Sequence, residues 1–472
     1  MKKKILASFA AAAALSLGVF SGCMFGSSVS VTSIQKTDSV GLVDYYTITY
    51  SNGTTSQFTV TNGRDGENGK DGTDAQDVTA QDVYETYKKV YSDDKMTFME
   101  FCEKYLSVNN NSTAALNSVL RSCMKVYTAF HESRFSDKLS MYCGSAVIYK
   151  METDYTYIVT NYHVVYDSKA VDSKVSNEIS AYLYGSESGP VLNDTETGLV
   201  YDDYAIKCKY IGGAINYDVA VIRANTADVL KVNPQAVPVT VSYDYSVGEN
   251  TYAVGNPDDG GISVTEGIVS VDSDYVTLSI DGNERSYRSI RTDTALTHGN
   301  SGGGLFNMQG ELIGLNNAGD SDITSMNYAI PASIMTGIAD GVIYYNTRNG
   351  IKYTSRTLLG VTSQAENSRF VYDGATGGGY IRENVVIKTV NDKGPDKVTN
   401  SLANDLGLKV GDIITAVTVN GKKYEIIRQY QIADLLLNVR ASDTIKIDYT
   451  RDGQAKETQE TAVRPSDIDR ID

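Results

Sequence analysis

Tryptophan is absent from this chain of 472 residues, and histidine, proline and cysteine are scarce, at 3, 7 and 5 residues. Few cysteines and no Cys-x-x-Cys pair give no metal framework, and neither a metal nor an organic cofactor is expected. Positive charge is in deficit. Lys and Arg number 42 against 58 Asp and Glu, a net charge of −16. Such a chain, with no basic stripe, repels phosphate backbones, which excludes nucleic acid as a partner. A long apolar run is missing too, because Ile5 to Phe20 is too short and too alanine-rich for a good membrane span. What is abundant is tyrosine, with 34 residues. It suits exposed β-structure, which favours an apolar body with a polar tip. The length exceeds one hydrophobic core and implies two or three domains with connectors.

The N-terminus reads as an address. Lys2, Lys3 and Lys4 precede the apolar run, and Ser21-Gly22-Cys23 follows it. This is a secretory signal over residues 1–22. The small pair before the cysteine resembles the lipobox of bacterial lipoproteins, with Phe20 in place of the usual leucine. The resemblance implies acylation of Cys23 and a lipid anchor on the outer face of a bacterial membrane. Cys102, Cys123, Cys143 and Cys208 remain, and can form two bridges or stay as free thiols.

Residues 23–62 read as a small β-module, with a hairpin turn at Ser51-Asn52-Gly53-Thr54 between alternating runs. In residues 63–78 glycine recurs every third position without proline, which gives a flexible spacer rather than a triple helix. Residues 79–130 are expected to form a helical connector. Val83, Tyr84, Tyr87, Val90 and Tyr91 share one helical face, a second helix starts near Thr97, and a third fits Thr113–Phe130. Residues 131–345 are β-rich, residues 346–462 form a further mixed domain, and residues 463–472 are a tail.

The central region carries the chemistry of acyl transfer, which needs a nucleophile, a base, a group to orient the base and donors for an oxyanion. Ser301 stands in Gly299-Asn300-Ser301-Gly302-Gly303. Glycines let the chain turn sharply there. The oxyanion hole is read in Gly299, Asn300 and Ser301, with the N–H groups of Gly299 and Ser301 as donors. His163 ends the apolar run Tyr157-Ile158-Val159-Thr160-Asn161-Tyr162 and is the candidate base. His131 reads as a surface residue, and His298 as a lining of the cleft. Asp218 precedes the apolar strand Val219-Ala220-Val221-Ile222, where a lone charge would be costly and needs a partner such as His163. The order His, Asp, Ser is that of chymotrypsin-type enzymes.

Residues 140–335 resemble the protease domain of the HtrA/DegP group of trypsin-like serine proteases. The resemblance rests on Gly144-Ser145-Ala146-Val147-Ile148, Thr160-Asn161-Tyr162-His163-Val164-Val165, Asp218-Val219-Ala220-Val221-Ile222, Gly255-Asn256-Pro257, Thr265-Glu266-Gly267-Ile268-Val269-Ser270, Gly299-Asn300-Ser301-Gly302-Gly303 and Asn327-Tyr328-Ala329-Ile330-Pro331. It implies a mainly β chain with a double β-barrel of six strands each and the site in the cleft between them. It also implies peptide-bond hydrolysis by His163, Asp218 and Ser301, with unfolded or envelope proteins as substrates. Family members often assemble as trimers. The chain departs from the pattern in Tyr166–Tyr204, read as a surface excursion, and in His298, where proline is usual. Ala295 would floor the primary pocket and Leu315, Asn316 and Asn317 would wall it, which implies a preference for small or medium aliphatic side chains. Residues 346–462 resemble the PDZ-like α+β domain that follows the protease in this group. Leu358, Leu359 and Gly360 would then hold a peptide carboxylate. A peptide-binding scaffold without catalysis is the alternative reading.

Overall fold

The computed structural model describes residues 31–40, 43–61, 80–90, 96–97, 112–131, 133–186, 188–319, 325–373 and 378–471. The signal, Cys23, the glycine-rich spacer, Cys102 and the helix expected near Thr97 lie outside them, apart from residues 96–97. The chain divides into two units, Met1–Glu103 and Lys104–Asp472.

In the first unit, β1 (Val31–Val40), β2 (Val43–Tyr50) and β3 (Thr55–Thr61) form an antiparallel sheet in that order. The β2–β3 turn falls at the expected Asn52-Gly53. Gly53 takes the positive φ of 80° that such a turn requires, and its N–H donates to the Tyr50 carbonyl at 2.9 Å. Helix α1 (Ala80–Val90) ends with Lys88 and Lys89 in its last turn, where positive charge suits the helix dipole.

The second unit opens with α2 (Ser112–Leu120). The helix expected to run on to Phe130 stops there. Cys123–His131 is instead β4, and its first eight residues are buried. A strand buried on both faces shows no two-residue alternation, so its apolar run passes for a helix face. β4 joins β5 (Leu139–Met151), β6 (Tyr155–Asn161), β7 (Glu178–Leu183), β8 (Ile206–Ala214) and β9 (Val219–Asn225) in a closed barrel of order β8-β9-β6-β5-β4-β7. The stretch read as a surface excursion therefore contributes a barrel strand, β7, whose last five residues are buried. Tyr182 on β7 meets Tyr127 on β4 edge to face at 5.5 Å, a geometry that adds about 0.5–1.5 kcal/mol to the area buried.

The second closed barrel comprises β10 (Asn250–Gly255), β11 (Ser263–Ile280), β12 (Asn283–Thr292), β13 (Gly304–Asn307), β14 (Leu312–Gly319) and β15 (Asn327–Pro331), in the order β10-β11-β12-β15-β14-β13. The fold is thus mainly β with two six-stranded barrels, as the sequence implied. Val147, Val159 and Val221 of the first barrel share one core with Val254, Phe306 and Leu315 of the second. Helix α3 is the single turn Tyr162–Val165 that carries His163. Helix α4 (Ala332–Asn349) packs against strands of both barrels and ends on Gly350 in the left-handed region, a common helix stop.

Beyond it, β16 (Thr354–Thr357) pairs with β24 (Ile468–Ile471). A second sheet runs β17 (Val361–Asp373), β18 (Gly378–Val390), β19 (Ile413–Val419), β21 (Thr444–Arg451) and β22 (Gln454–Glu457). β20 (Lys422–Glu425) pairs with β19, and β23 (Thr461–Ala462) pairs with β21. Helix α5 (Tyr430–Leu436) covers this sheet, and Ile432 and Leu436 enter a core with Val385, Ile414 and Ile447. Each such buried aliphatic side chain contributes about 1.5–3 kcal/mol.

Candidate active site

Strand register places Asp218 beside His163. β9 pairs with β6 so that Val219 lies opposite Asn161. Residue 218 therefore falls opposite the start of α3, where residue 163 sits. Asp218 is fully buried and takes φ 55°, ψ 40° at the end of a 3₁₀ turn, Ile215–Tyr217. Aspartate tolerates this left-handed conformation better than most residues.

Five donors hold Asp218, one of them the Tyr162 N–H, which donates to the Asp218 carbonyl at 3.1 Å. Its Oδ1 accepts the His163 backbone N–H at 2.9 Å, and its carbonyl accepts Asn161 Nδ2 at 3.0 Å. Its Oδ2 accepts two further bonds, from His163 Nδ1 at 2.7 Å and from Asn317 Nδ2 at 2.6 Å. The carboxylate also satisfies a first-turn N–H of α3, a group with no partner inside a helix. A buried charge with this many charge-assisted bonds is compensated.

The His163 side chain is 35% exposed and faces the cleft. Burial works against its protonation, but the charge and the hydrogen bond of Asp218 outweigh that and raise its pKa above the ordinary histidine value. Since Asp218 accepts at Nδ1, the neutral ring presents Nε2 as its free acceptor.

Ser301 and His163 line one cavity of about 580 Å³. Ser301 Oγ does not bond His163 among the described residues. It donates to the Asn317 carbonyl at 3.0 Å. Such bonds are commonly loose without substrate.

The serine loop is fixed from both barrels. Ser145 on β5 donates its N–H to the Ser301 carbonyl at 2.8 Å and its Oγ to the Gly299 carbonyl at 2.7 Å. The Gly302 N–H donates to the Asn316 carbonyl at 2.9 Å. Gly299 and Gly302 have φ of 91° and 87°, and a Cβ would sit 2.1 Å from the Asn256 carbonyl oxygen at the first and 2.2 Å from the Ser145 carbonyl oxygen at the second. Neither position admits a side chain.

Of the three residues read as the oxyanion hole, Asn300 is a correction. Its N–H donates to the Thr297 carbonyl at 3.1 Å and is spent on the turn. The N–H groups of Gly299 and Ser301 donate to no protein atom among the described residues.

The expected pocket is corrected at Leu315, Asn316 and Asn317, whose side chains are buried, while His298 lines the cavity with Ser301. Ala295 is exposed, and its carbonyl accepts from Thr265 Oγ1 at 2.9 Å. Leu315 is fully buried in the shared core. Asn316 donates its amide to the carbonyls of Val254 and Gly304. Asn317 turns to Asp218. The N–H groups of both amides find acceptors inside the barrels, while Asn316 Oδ1 has no partner among the described residues. The sequence reading missed Ser145 and the acid-side contact of Asn317. A signal existed for the second, since two asparagines directly after the apolar run Leu312–Leu315 imply buried partners.

His131 lies 3.9 Å from Asp172, away from the cleft. Cys123, Cys143 and Cys208 are free thiols. Burial pushes the Cys123 thiol up to about 12 and the Cys208 thiol likewise to about 12, which leaves both inert. No group of side chains suited to a metal ion occurs among the described residues, and no described helix is long and apolar enough to cross a membrane.

Leu358, Leu359 and Gly360 line a separate cavity of about 470 Å³ between β17 and α5, together with Ile432 and Leu436. The Leu358 N–H is occupied by the Asp467 carbonyl at 2.8 Å. The carbonyls of Leu359 and Gly360 accept from Ala403 and Asn391.

A model of the trypsin-like peptidase domain matches residues 144–315. The serine protease Do-like HtrA of Lactococcus lactis subsp. cremoris is 28% identical over 382 residues, covering 74% of this chain and 82% of its own. The serine protease Do-like HtrA of Bacillus subtilis is 29% identical over 324 residues, 66% of this chain and 61% of its own. The periplasmic serine endoprotease DegP of Escherichia coli is 29% identical over 287 residues, and the match spans 60% of this chain and 49% of DegP.

Proposed function

Since the chain is an HtrA-type serine endopeptidase of trypsin-like fold, we propose that Ser301 is its nucleophile, His163 its general base and Asp218 the group that orients the base. The supporting observation is the 2.7 Å contact of His163 Nδ1 with Asp218 Oδ2, on the wall of the cavity that Ser301 shares. Nε2 of the neutral ring then carries the lone pair that can accept a proton. When a peptide enters, Ser301 Oγ leaves the Asn317 carbonyl and bonds the scissile carbonyl carbon as its proton passes to Nε2. The N–H groups of Gly299 and Ser301 receive the oxyanion, each worth about 3 kcal/mol of barrier in well-studied cases. The imidazolium gives its proton to the leaving amine, the C–N bond breaks, and water repeats the sequence to free the acid.

The substrates in this reading are unfolded or envelope polypeptides. The protease works outside the cell, tethered through an acyl chain on Cys23 to the outer face of a bacterial membrane. The C-terminal module receives peptide C-termini in the cavity lined by Leu358, Leu359 and Gly360. With the Leu358 N–H already occupied, the carboxylate falls to the N–H groups of Leu359 and Gly360.

Covalent labelling by a fluorophosphonate tests the nucleophile. Wild type is expected to label and to cleave an unfolded protein, and Ser301→Ala to do neither while melting normally. Labelling that persists in Ser301→Ala, or a wild type that stays unlabelled while hydrolysing substrate, overturns the assignment.

A further inference from the structure

Asn317 lies on β14 in the second barrel, 99 residues along the chain from Asp218, and its amide is buried against the acid. The other end of that amide is held as well. Tyr287 on β12 is fully buried, and its hydroxyl donates to Asn317 Oδ1 at 2.8 Å. Burial, with the nearby charge of Asp218, holds the Tyr287 phenol far above its ordinary pKa, so it stays protonated and can serve Asn317 as a donor. An amide can be turned either way about its last bond, and its neighbours decide which. Here a carboxylate that only accepts lies on one side and a phenol held as a donor lies on the other.

We propose that Tyr287 and Asn317 are a positioning pair for Asp218, in which Tyr287 fixes the amide so that Asn317 Nδ2 donates to the carboxylate oxygen that also accepts from His163. This rests on the reading of His163 as the base. The consequence has a sign. Two donors share Oδ2, and the charge that the amide draws is charge that the imidazolium does not feel. With the amide removed, Asp218 holds the proton on His163 more strongly, and the base becomes available only at higher pH. The other titratable groups lining the cavity with the ring are Tyr142 and Cys143 on β5, Tyr166, Asp167 and Lys169 after α3, Asp258 and Asp259 after β10, and His298 on the serine loop. Neither Asn317 nor Tyr287 lies on the elements that carry them, so substitutions at the pair leave those groups in place.

The test uses the full chain in three variants, Asn317→Leu, Tyr287→Phe and Asn317→Thr. Histidine labelled at its ring carbon gives the protonation of His163 by NMR in a Ser301→Ala background, and with 3 histidines assignment by substitution is direct. The pH profile of kcat/KM is measured on the same substitutions with Ser301 intact. In Asn317→Leu the His163 midpoint and the acid limb are expected to move together to higher pH. At mildly acid pH this lowers kcat/KM roughly tenfold beyond any loss on the alkaline plateau. Tyr287→Phe, which keeps the ring and the packing, moves both in the same direction by less. Asn317→Thr retains a donor and brings them back toward wild type. An unmoved His163 midpoint in both Asn317→Leu and Tyr287→Phe, with folded protein by thermal melting, overturns the proposal, as does an activity loss that is uniform with pH. A midpoint that moves while activity ignores it leaves the pair standing and removes His163 as the base.

Discussion

His163 experiences two opposed influences, burial that favours the neutral ring and Asp218 that favours the charged one, and the second prevails. In the proposed mechanism only the neutral ring takes the proton of Ser301. The raised pKa therefore places the rise of kcat/KM above the ordinary histidine value, and activity should climb through neutral pH to an alkaline plateau. A profile of kcat/KM against pH checks this, and a midpoint below the ordinary histidine value contradicts it. The effect on folding runs the other way. A group whose pKa is raised on folding stabilises the native state below its unfolded pKa, and that contribution is lost as pH rises through the folded value. The conditions that best support catalysis are thus those in which the His163–Asp218 pair contributes least to stability. The residues of this pair were legible from sequence because each lies beside an apolar strand. The part of Asn317 was not, because its partner is distant in the chain and on the other barrel.

At the scale of elements, the serine loop depends on backbone geometry more than on side chains. Gly302 takes a positive φ where any Cβ would meet the Ser145 carbonyl oxygen at 2.2 Å and Thr160 Oγ1 at 2.3 Å. A side chain there pushes the loop from β5 and breaks the Ser145–Ser301 bond. Gly302→Ala is expected to cost about 1–2 kcal/mol from the left-handed conformation alone, with more from the clash. Thermal melting should fall by several degrees, and fluorophosphonate labelling should be lost. Normal labelling would show that the loop has room to shift. The glycine pattern made this turn readable in advance. β4 was less readable, since its run of buried residues on both faces removed the alternation that marks a strand, and β7 was hidden in a stretch rich in polar residues and tyrosine.

Across the Lys104–Asp472 unit, the C-terminal module is joined to the second barrel by buried charge. Arg288 on β12 pairs with Asp434 on α5, with side chains 4% and 11% exposed. Ser333 Oγ donates to the same carboxylate at 2.6 Å, and Tyr430 stacks 4.0 Å from the guanidinium. Arg428 of the module reaches Asp272 on β11. Breaking a buried pair leaves an uncompensated charge, which typically costs about 3–5 kcal/mol. Asp434→Ala should therefore separate the module from the barrel, seen as a second transition in calorimetry and as new protease cleavage near residues 349–353. Arg288→Met combined with Asp434→Leu should recover much of the loss. A single wild-type transition in Asp434→Ala would mean that the apolar contacts of α4 and α5 suffice to hold the module. The composition foretold a multidomain chain, but a junction of this kind is invisible in sequence because its partners lie 146 residues apart.

The bond between Asn317 and Asp218 crosses from one barrel to the other, as do the two bonds that Ser145 makes to the serine loop. In the proposed triad His163 and Asp218 ride on the first barrel and Ser301 on the second. Assembly of the proposed reactive geometry is therefore a question of how two barrels that share one core are aligned. A relative slip of about one ångström would lengthen these stitches together and separate the proposed base from the hydroxyl. A pull on the second barrel, by a peptide in the cleft or by the module joined through Arg288, would act on these bonds together.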